Sequence, residues 1–477
     1  MYFPNFIFFL YHIHIKMSVM LPKEINYTQL PVAIPGGCQN FDVALRPVNG
    51  SSFSCATAGQ IVAFDIPARS GFMDGKTLSL SYQYKCVSTG MTRIRCTPFT
   101  APLARLEVIF GSQTAQNVPN YNVVQNMLTN LKYSVADKIG NITGYGWGLE
   151  PTAVPAAGVV SPISNSAMTL AGCDGRVCVA GEVGTFYGPL NCILSSADKY
   201  IPLGMMPNIR VQLTLDSIAN VFSSVTNAGV APSFENVITG TPTSTAVVAA
   251  TALPTDFILD NFVLSYSHID MGAEIDSAVR SMGDKIVIKS ESFTNSANTI
   301  PLGTNGQIEL LYSQKLASIK SLFLHCSSTS VNGIFDAFQV LGNSGDLVFN
   351  IASKLYPSNR PLSSAIQNRG TLQLELKKAV TSLYDVKSGM SISPQEYINL
   401  GTASTLHNPA KVYYGVNCEQ LQSNDVLLSG VSSQNSPITA RMNISEATSA
   451  SVNASLIACF DVLIEIEPST RSAFIRQ

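Results

Sequence analysis

Residues 103–135 read LARLEVIFGSQTAQNVPNYNVVQNMLTNLKYSV, and residues 346–383 read DLVFNIASKLYPSNRPLSSAIQNRGTLQLELKKAVTSL. Each stretch opens on a β-rich strand, passes through a Pro-containing turn and enters a segment whose apolar residues recur at three- and four-residue steps. Val124, Met127, Leu128, Leu131 and Val135 predict a helix over 121–139; Leu372, Leu376, Ala379, Val380 and Leu383 predict one over 370–387. Strand, proline turn and lone helix thus occur twice, and no other segment reads as a long helix.

Outward from these two stretches the chain is strand-like. Gln60–Pro67, Leu78–Tyr84, Asn208–Leu215 and Phe257–Tyr266 surround the first, with Lys285–Lys289, Gln307–Tyr312, Ile319–His325 and Ala454–Ile466 around the second. They alternate apolar with polar residues and are punctuated by Gly, Pro, Asn and Ser. LSLSYQYKC stands before the first helix as IKSLFLHC stands before the second, and FILDNFVLSYSHID closes one unit as SLIACFDVLIEIE closes the other. Leu80 to Leu322 and Val108 to Val348 are offsets of 242 and 240 residues. An architectural repeat of this kind decides the fold. It gives an N-terminal arm over 1–34, a first sandwich over 35–271, a short helical connector over 272–283 and a second sandwich over 284–477. The Gly-, Ala-, Thr- and Pro-rich stretches Asn141–Tyr187 and Ser223–Pro254 read as long functional loops.

Only 13% of the 477 residues are charged, against a usual share of about 25%, while 46% are apolar and the formal net charge is -2. Disorder and a basic nucleic-acid-binding tail are thereby excluded. Ser, Thr, Asn and Gln replace the missing charges. Such a surface lacks the charge repulsion that keeps monomers apart.

A tandem of two β-sandwiches, each with one inserted helix, resembles the double jelly-roll major capsid proteins of the adenovirus, Polinton-like and giant-virus lineage. The residues that carry the likeness are IVAFDIPARSGFMDGKTLSLSYQY at 61–84, the turn YPSNRPL at 356–362 and the closing IACFDVLIEIEPSTRSAFIRQ at 457–477. The resemblance implies an all-β chain of two eight-stranded jelly rolls. It also implies a homotrimeric, pseudo-hexagonal capsomer tiling an icosahedral virion shell, with penton and minor capsid proteins as further partners. No strong direct nucleic-acid binding is expected. Arg93 and Arg95, with Lys377 and Lys378, are the nearest approach to a basic cluster. A membrane beneath the shell, again implied by the resemblance, fits that absence.

The sequence predicts no enzyme, no catalytic residue, no cofactor and no metal site. Nucleophile-elbow, P-loop, dinucleotide-binding and zinc-protease motifs are missing. His268 lies two residues from Asp270 at a strand end, which reads as structural rather than acid–base; His407 reads as a loop residue. Glu465 and Glu467 share one face of the last strand and read as a solvated or subunit-facing edge. The ten cysteines read as reduced thiols. Cys173 and Cys178 are the tightest pair, with Cys192 downstream, and no histidine is spaced to complete a zinc site. The apolar start MYFPNFIFFLYHIHIK is too short to span a bilayer and reads as an upstream extension before Met17 or Met20. The body reads as soluble. Two rivals remain: a secreted two-sandwich adhesin or lectin, glycosylated at Asn26, Asn49, Asn141, Asn443 or Asn453, and a carbohydrate-active enzyme with a carboxylate pair.

Overall fold

The computed structural model describes residues 38–88, 92–94, 97, 99–133, 144, 176–178, 181–224, 253–281, 283–328, 335, 337, 340–351, 353–380, 390, 392, 412–420 and 428–477. The first eight principal strands are β1 (Gln39–Leu45), β2 (Ile61–Ile66), β3 (Phe72–Val87), β4 (Leu103–Phe110), β5 (Gln113–Pro119), β6 (Val183–Pro189), β7 (Ile209–Leu215) and β8 (Asp256–Asp270). They pair antiparallel in the orders β1-β8-β3-β6 and β2-β7-β4-β5. The next eight are β9 (Ile286–Ile300), β10 (Gly306–Tyr312), β11 (Ile319–Ser328), β12 (Asp346–Ile351), β13 (Lys354–Tyr356), β14 (Tyr413–Asn417), β15 (Ile438–Ile444) and β16 (Val452–Glu467). Their orders are β9-β16-β11-β14 and β10-β15-β12-β13. Adding eight to each number turns the first sandwich into the second. This interleaving of first and last strands is the eight-stranded jelly roll, present twice.

Helix α1 (Tyr121–Lys132) lies between β5 and β6, α2 (Ala273–Ser281) between the sandwiches, and α3 (Arg369–Val380) between β13 and β14. A closing strand, β17 (Ser472–Arg476), pairs with the end of β16. Three short strands, Thr92–Ile94, Arg176–Cys178 and Phe222–Ser224, form a small extra sheet.

Period-two patterning explains the packing. In β8, Phe257, Leu259, Phe262, Leu264 and Tyr266 turn into the core that Tyr82 and Tyr84 of β3 share; Phe257 stacks on Tyr84 with ring centroids 5.5 Å apart, and Tyr82 meets Phe262 at 4.8 Å with the rings tilted. β16 instead is buried on both faces over 454–464, which matches its nearly unbroken apolar run. It is the central strand of its sheet, with β9 and β11 as neighbours.

Several expected boundaries shift. The first helix stops at Lys132 because Tyr133 turns extended (φ -87, ψ 119) while its N–H still bonds Thr129 O; residues 134–139 lie outside the described set. The second runs from Arg369 to Val380, and 381–387 lie outside the described set. The stretch after β4, read as a turn, contains strand β5, and Val183–Tyr187, read as loop, belongs to strand β6. β9 continues to Ile300, well past Lys289, through SESFTNSANT, whose polar residues hide the alternation. The arm over 1–34, His407 and the bulk of both expected long loops lie outside the described residues. Among the described residues no helix is long and apolar enough to cross a membrane.

Candidate functional site

The two sandwiches meet along a seam built on α1. Every residue from Tyr121 to Leu131 is buried, polar ones included. Each polar side chain needs a partner there, since an unsatisfied buried group costs about 1–3 kcal/mol. Asn122 Nδ2 donates to Asp216 Oδ2 (2.8 Å) and to Ala101 O (3.1 Å). Gln125 Oε1 accepts from Asn191 Nδ2 at 2.7 Å, and Asn130 Nδ2 donates across the seam to Tyr413 Oη at 3.3 Å. Beside the helix, Gln116 Nε2 donates to Ser292 Oγ at 2.8 Å, and Ser290 Oγ donates to Ile193 O at 2.6 Å. Lys289 and Asp198 close the seam with Lys289 N–H to Asp198 Oδ1 (3.0 Å) and Asp198 N–H to Lys289 O (2.9 Å).

A cavity of about 590 Å³ sits in this seam, between α1, α3 and the sheet of β9 and β11. Lys132, Lys289, Lys320 and Lys378 face Asp198, Glu291 and Glu419 around it. The charges are mostly matched. Lys320 contacts Glu291 and lies 3.6 Å from Glu419. Burial works against its ammonium, but those carboxylates outweigh the penalty and hold its pKa above the ordinary lysine value. Lys289 Nζ lies 3.6 Å from the wholly buried Asp461, whose other oxygen accepts from Ser318 Oγ (2.7 Å) and Ser429 N (2.9 Å). Such an arrangement cements an interface; it presents no surplus charge to a ligand.

The residues singled out in the sequence do not converge. His268, 2% exposed, lowers its proton affinity through burial and through the nearby Arg69 cation, partly offset by its bond to the Ser70 backbone and by Asp270 and Asp276. Asp270 accepts from Gly272 N at 3.0 Å and makes a turn, while His268 Nδ1 has no hydrogen-bond partner. No acid–base relay joins them. Glu465 and Glu467 share a face, as expected, and both meet Lys285 (3.9 and 3.3 Å); Glu465 also meets Arg476 at 3.2 Å. Exposed pairs of this kind add about 0–1 kcal/mol each. Lys378 pairs with Glu375 at 2.6 Å along α3. Arg93 falls in the short strand Thr92–Ile94, and Arg95 lies outside the described residues.

Cys173 lies outside the described residues, and Cys178 is buried. Burial pushes the thiols of Cys326 and Cys459 up to about 12, and that of Cys192 upward as well, so none of the three is a ready thiolate. Among the described residues no group of three or more His, Cys, Asp or Glu side chains could hold a metal ion. Asn49 spends its amide on the fold: Nδ2 donates to Ile61 O at 2.6 Å and Oδ1 accepts from Ala63 N at 3.0 Å.

Sequence reasoning missed the aromatic of β1, an edge strand of its sheet. Phe41 is 44% exposed there, its ring centroid 5.1 Å from that of His268 and 5.3 Å from the Arg69 guanidinium carbon. In QNFDVAL one exposed aromatic among polar residues gives no signal until the strand's place at a sheet edge is known.

No family profile and no curated protein matches the sequence. Solved structures do. The Faustovirus major capsid protein superposes with a TM-score of 0.59 at 10% identity, over 94% of this chain and 93% of that one. PBCV-1 VP54 gives 0.54 at 10% identity, covering 94% and 99%, and the mavirus major capsid protein gives 0.50 at 9%, covering 99% and 96%. Strand order and these near-full-length matches together show that the chain has the double jelly-roll fold of viral major capsid proteins.

Proposed function

We propose that this protein is the major capsid protein of an icosahedral virus. It forms a homotrimer whose six sandwiches make a pseudo-hexagonal capsomer, with no enzymatic activity of its own. The observation that carries this reading is the repetition of one strand order in two sandwiches of one chain, fixed side by side by a buried helix. Three such chains supply six near-equivalent lobes, so a three-fold object can occupy a six-fold lattice position. The units are the arm 1–34, the sandwiches 35–271 and 284–477, and the connector 272–283, whose helix α2 has no buried residue. Neighbouring capsomers, penton and minor capsid proteins complete the shell. The weakly charged surface favours such contacts over direct genome binding, and a membrane beneath the shell accords with it.

Light scattering on a sizing column tests this. The expected native mass is that of three 51.0 kDa chains, about 153 kDa, or of assemblies of that unit. A 51.0 kDa species that persists at high concentration overturns the proposal. The adhesin reading is weakened by Asn49, a sequon whose amide nitrogen is already committed to the Ile61 carbonyl.

A further inference from the structure

Three polar side chains at one end of the first sandwich carry buried atoms with no hydrogen-bond partner among the described residues. They are Arg69 through Nε and Nη2, Tyr266 through Oη and His268 through Nδ1. Tyr266 and His268 stand two apart on β8 and share its inward face, 1% and 2% exposed. Arg69 comes from the turn between β2 and β3. Its guanidinium carbon lies 6.0 Å from the centre of the Tyr266 ring and 5.3 Å from that of Phe41, which in turn stands 5.1 Å from the His268 ring. The rings attract the guanidinium through its charge, an interaction that uses no hydrogen bond and leaves its N–H groups free.

Neighbouring charges are committed elsewhere. Asp276 of α2 accepts from Gly71 N at 3.3 Å, Asp270 accepts from Gly272 N at 3.0 Å, and Arg280 Nη2 donates to Gly204 O at 3.3 Å. Arg69 has no carboxylate partner among the described residues. The far edge of the imidazole is closed by Gly71 (φ +95), where a Cβ would stand 2.7 Å from His268 Nε2, and the ring bonds the Ser70 backbone. Nδ1 is the nitrogen left over. The fold itself does not ask for these groups. Counting along the last strand of each sandwich from the pairs Leu80–Leu264 and Leu322–Ala458, Tyr266 and His268 fall where the second sandwich has Phe460 and Val462. A guanidinium fork, a phenol and an imidazole with unspent hydrogen-bonding capacity match an oxyanion.

We infer that Arg69, Tyr266 and His268 form a binding site for a tetrahedral oxyanion, phosphate or sulfate, with Phe41 as its cover. Arg69 offers Nε and Nη2, and Tyr266 offers its hydroxyl. Phe41, 44% exposed on the edge strand β1, is the ring that swings aside to admit the ion. His268 sets the pH dependence. Neutral and donating to Ser70, it turns a lone pair on Nδ1 toward the site and repels an anion; protonated, it adds a third donor. Anion and proton therefore bind together, and affinity rises as the pH falls. The inference stands on the folded chain alone and holds whether or not capsomers form. The anion is either a free ion or the phosphate of a lipid headgroup, which present the same oxygens.

Calorimetric titration of the full chain with sodium sulfate at fixed ionic strength tests the site, since sulfate keeps both charges from pH 8 to pH 5. Binding should saturate and tighten on the order of tenfold over that range. Arg69→Gln should weaken it about tenfold or more, and Tyr266→Phe about fivefold. Arg280→Gln, which removes an exposed arginine of α2, should leave it unchanged. If Arg69→Gln fails to give the wild-type circular dichroism spectrum, Tyr266→Phe, which deletes a single oxygen, carries the test. Sedimentation with phosphatidic acid vesicles separates the two sources. Pelleting that is lost in these variants assigns the anion to a headgroup, whereas sulfate binding without pelleting assigns it to a free ion. Neither sulfate binding nor variant-sensitive pelleting, or equal binding by wild type, Arg69→Gln and Tyr266→Phe, overturns the site and leaves those polar atoms to ordered water.

Discussion

The imidazole of His325 is sealed inside the second sandwich at 1% exposure and stacked on Tyr413 with ring centroids 5.7 Å apart. Burial lowers its pKa to about 4 from an ordinary 6.5. Between those values the unfolded chain binds a proton that the folded chain refuses. Stability from this residue is therefore complete above about pH 6.5 and drains away as the pH falls to 4, by on the order of 3 kcal/mol. The shift at His268 has the same sign. Urea midpoints measured from pH 7 to pH 4 should fall more steeply for the wild type than for His325→Phe, which keeps the ring on Tyr413. Parallel curves would remove His325 as the cause. Residues such as this are invisible in sequence: SLFLHC shows a histidine on a strand and leaves its inward direction to the sheet pairing.

Elements differ in how openly the sequence declares them. Both helices were legible from three- and four-residue spacing, and the strands that alternate cleanly were legible from period two. β9 was only half legible, since Ser, Thr and Asn fill it beyond Lys289. α1 was recognised but its setting was not, because Asn122, Gln125 and Asn130 look like a solvated face and are in fact bonded inside the seam. The two helices have also diverged. α3 lies on its own sheet over Gly415, where a Cβ would come 2.8 Å from Leu376 Cδ1 and 3.1 Å from Ala379 Cβ. The corresponding residue of the first sandwich is Tyr187, opposite Ser81 as Gly415 is opposite Phe323, and it is 58% exposed. A tyrosine stands there in place of the glycine, and α1 packs in the seam instead. Gly415→Val should lift α3, costing about 1–3 kcal/mol. Hydrogen exchange should then quicken across 369–380 and stay unchanged across 121–132; equal protection in both forms would show that α3 does not depend on that close approach.

As a whole molecule the chain is two jelly rolls that do not stand apart. The buried helix, the bonds from Gln116, Ser290 and Asp198, and the matched charges around Lys320 join them as closely as a domain core. Calorimetry should accordingly show one unfolding transition for the isolated chain, where loosely tethered sandwiches would give two separable ones. The repeat itself was readable in the sequence, from the 242- and 240-residue offsets. The placement of α1 also sets a timetable. Asn130 finds its partner in Tyr413, 283 residues further along the chain. A ribosome adding roughly 5–20 residues per second needs about 14–57 s to make that distance. For that interval α1 rests only on its first-sandwich partners Ala101, Asp216 and Asn191, and the side of the helix that carries Asn130 waits for the second sandwich.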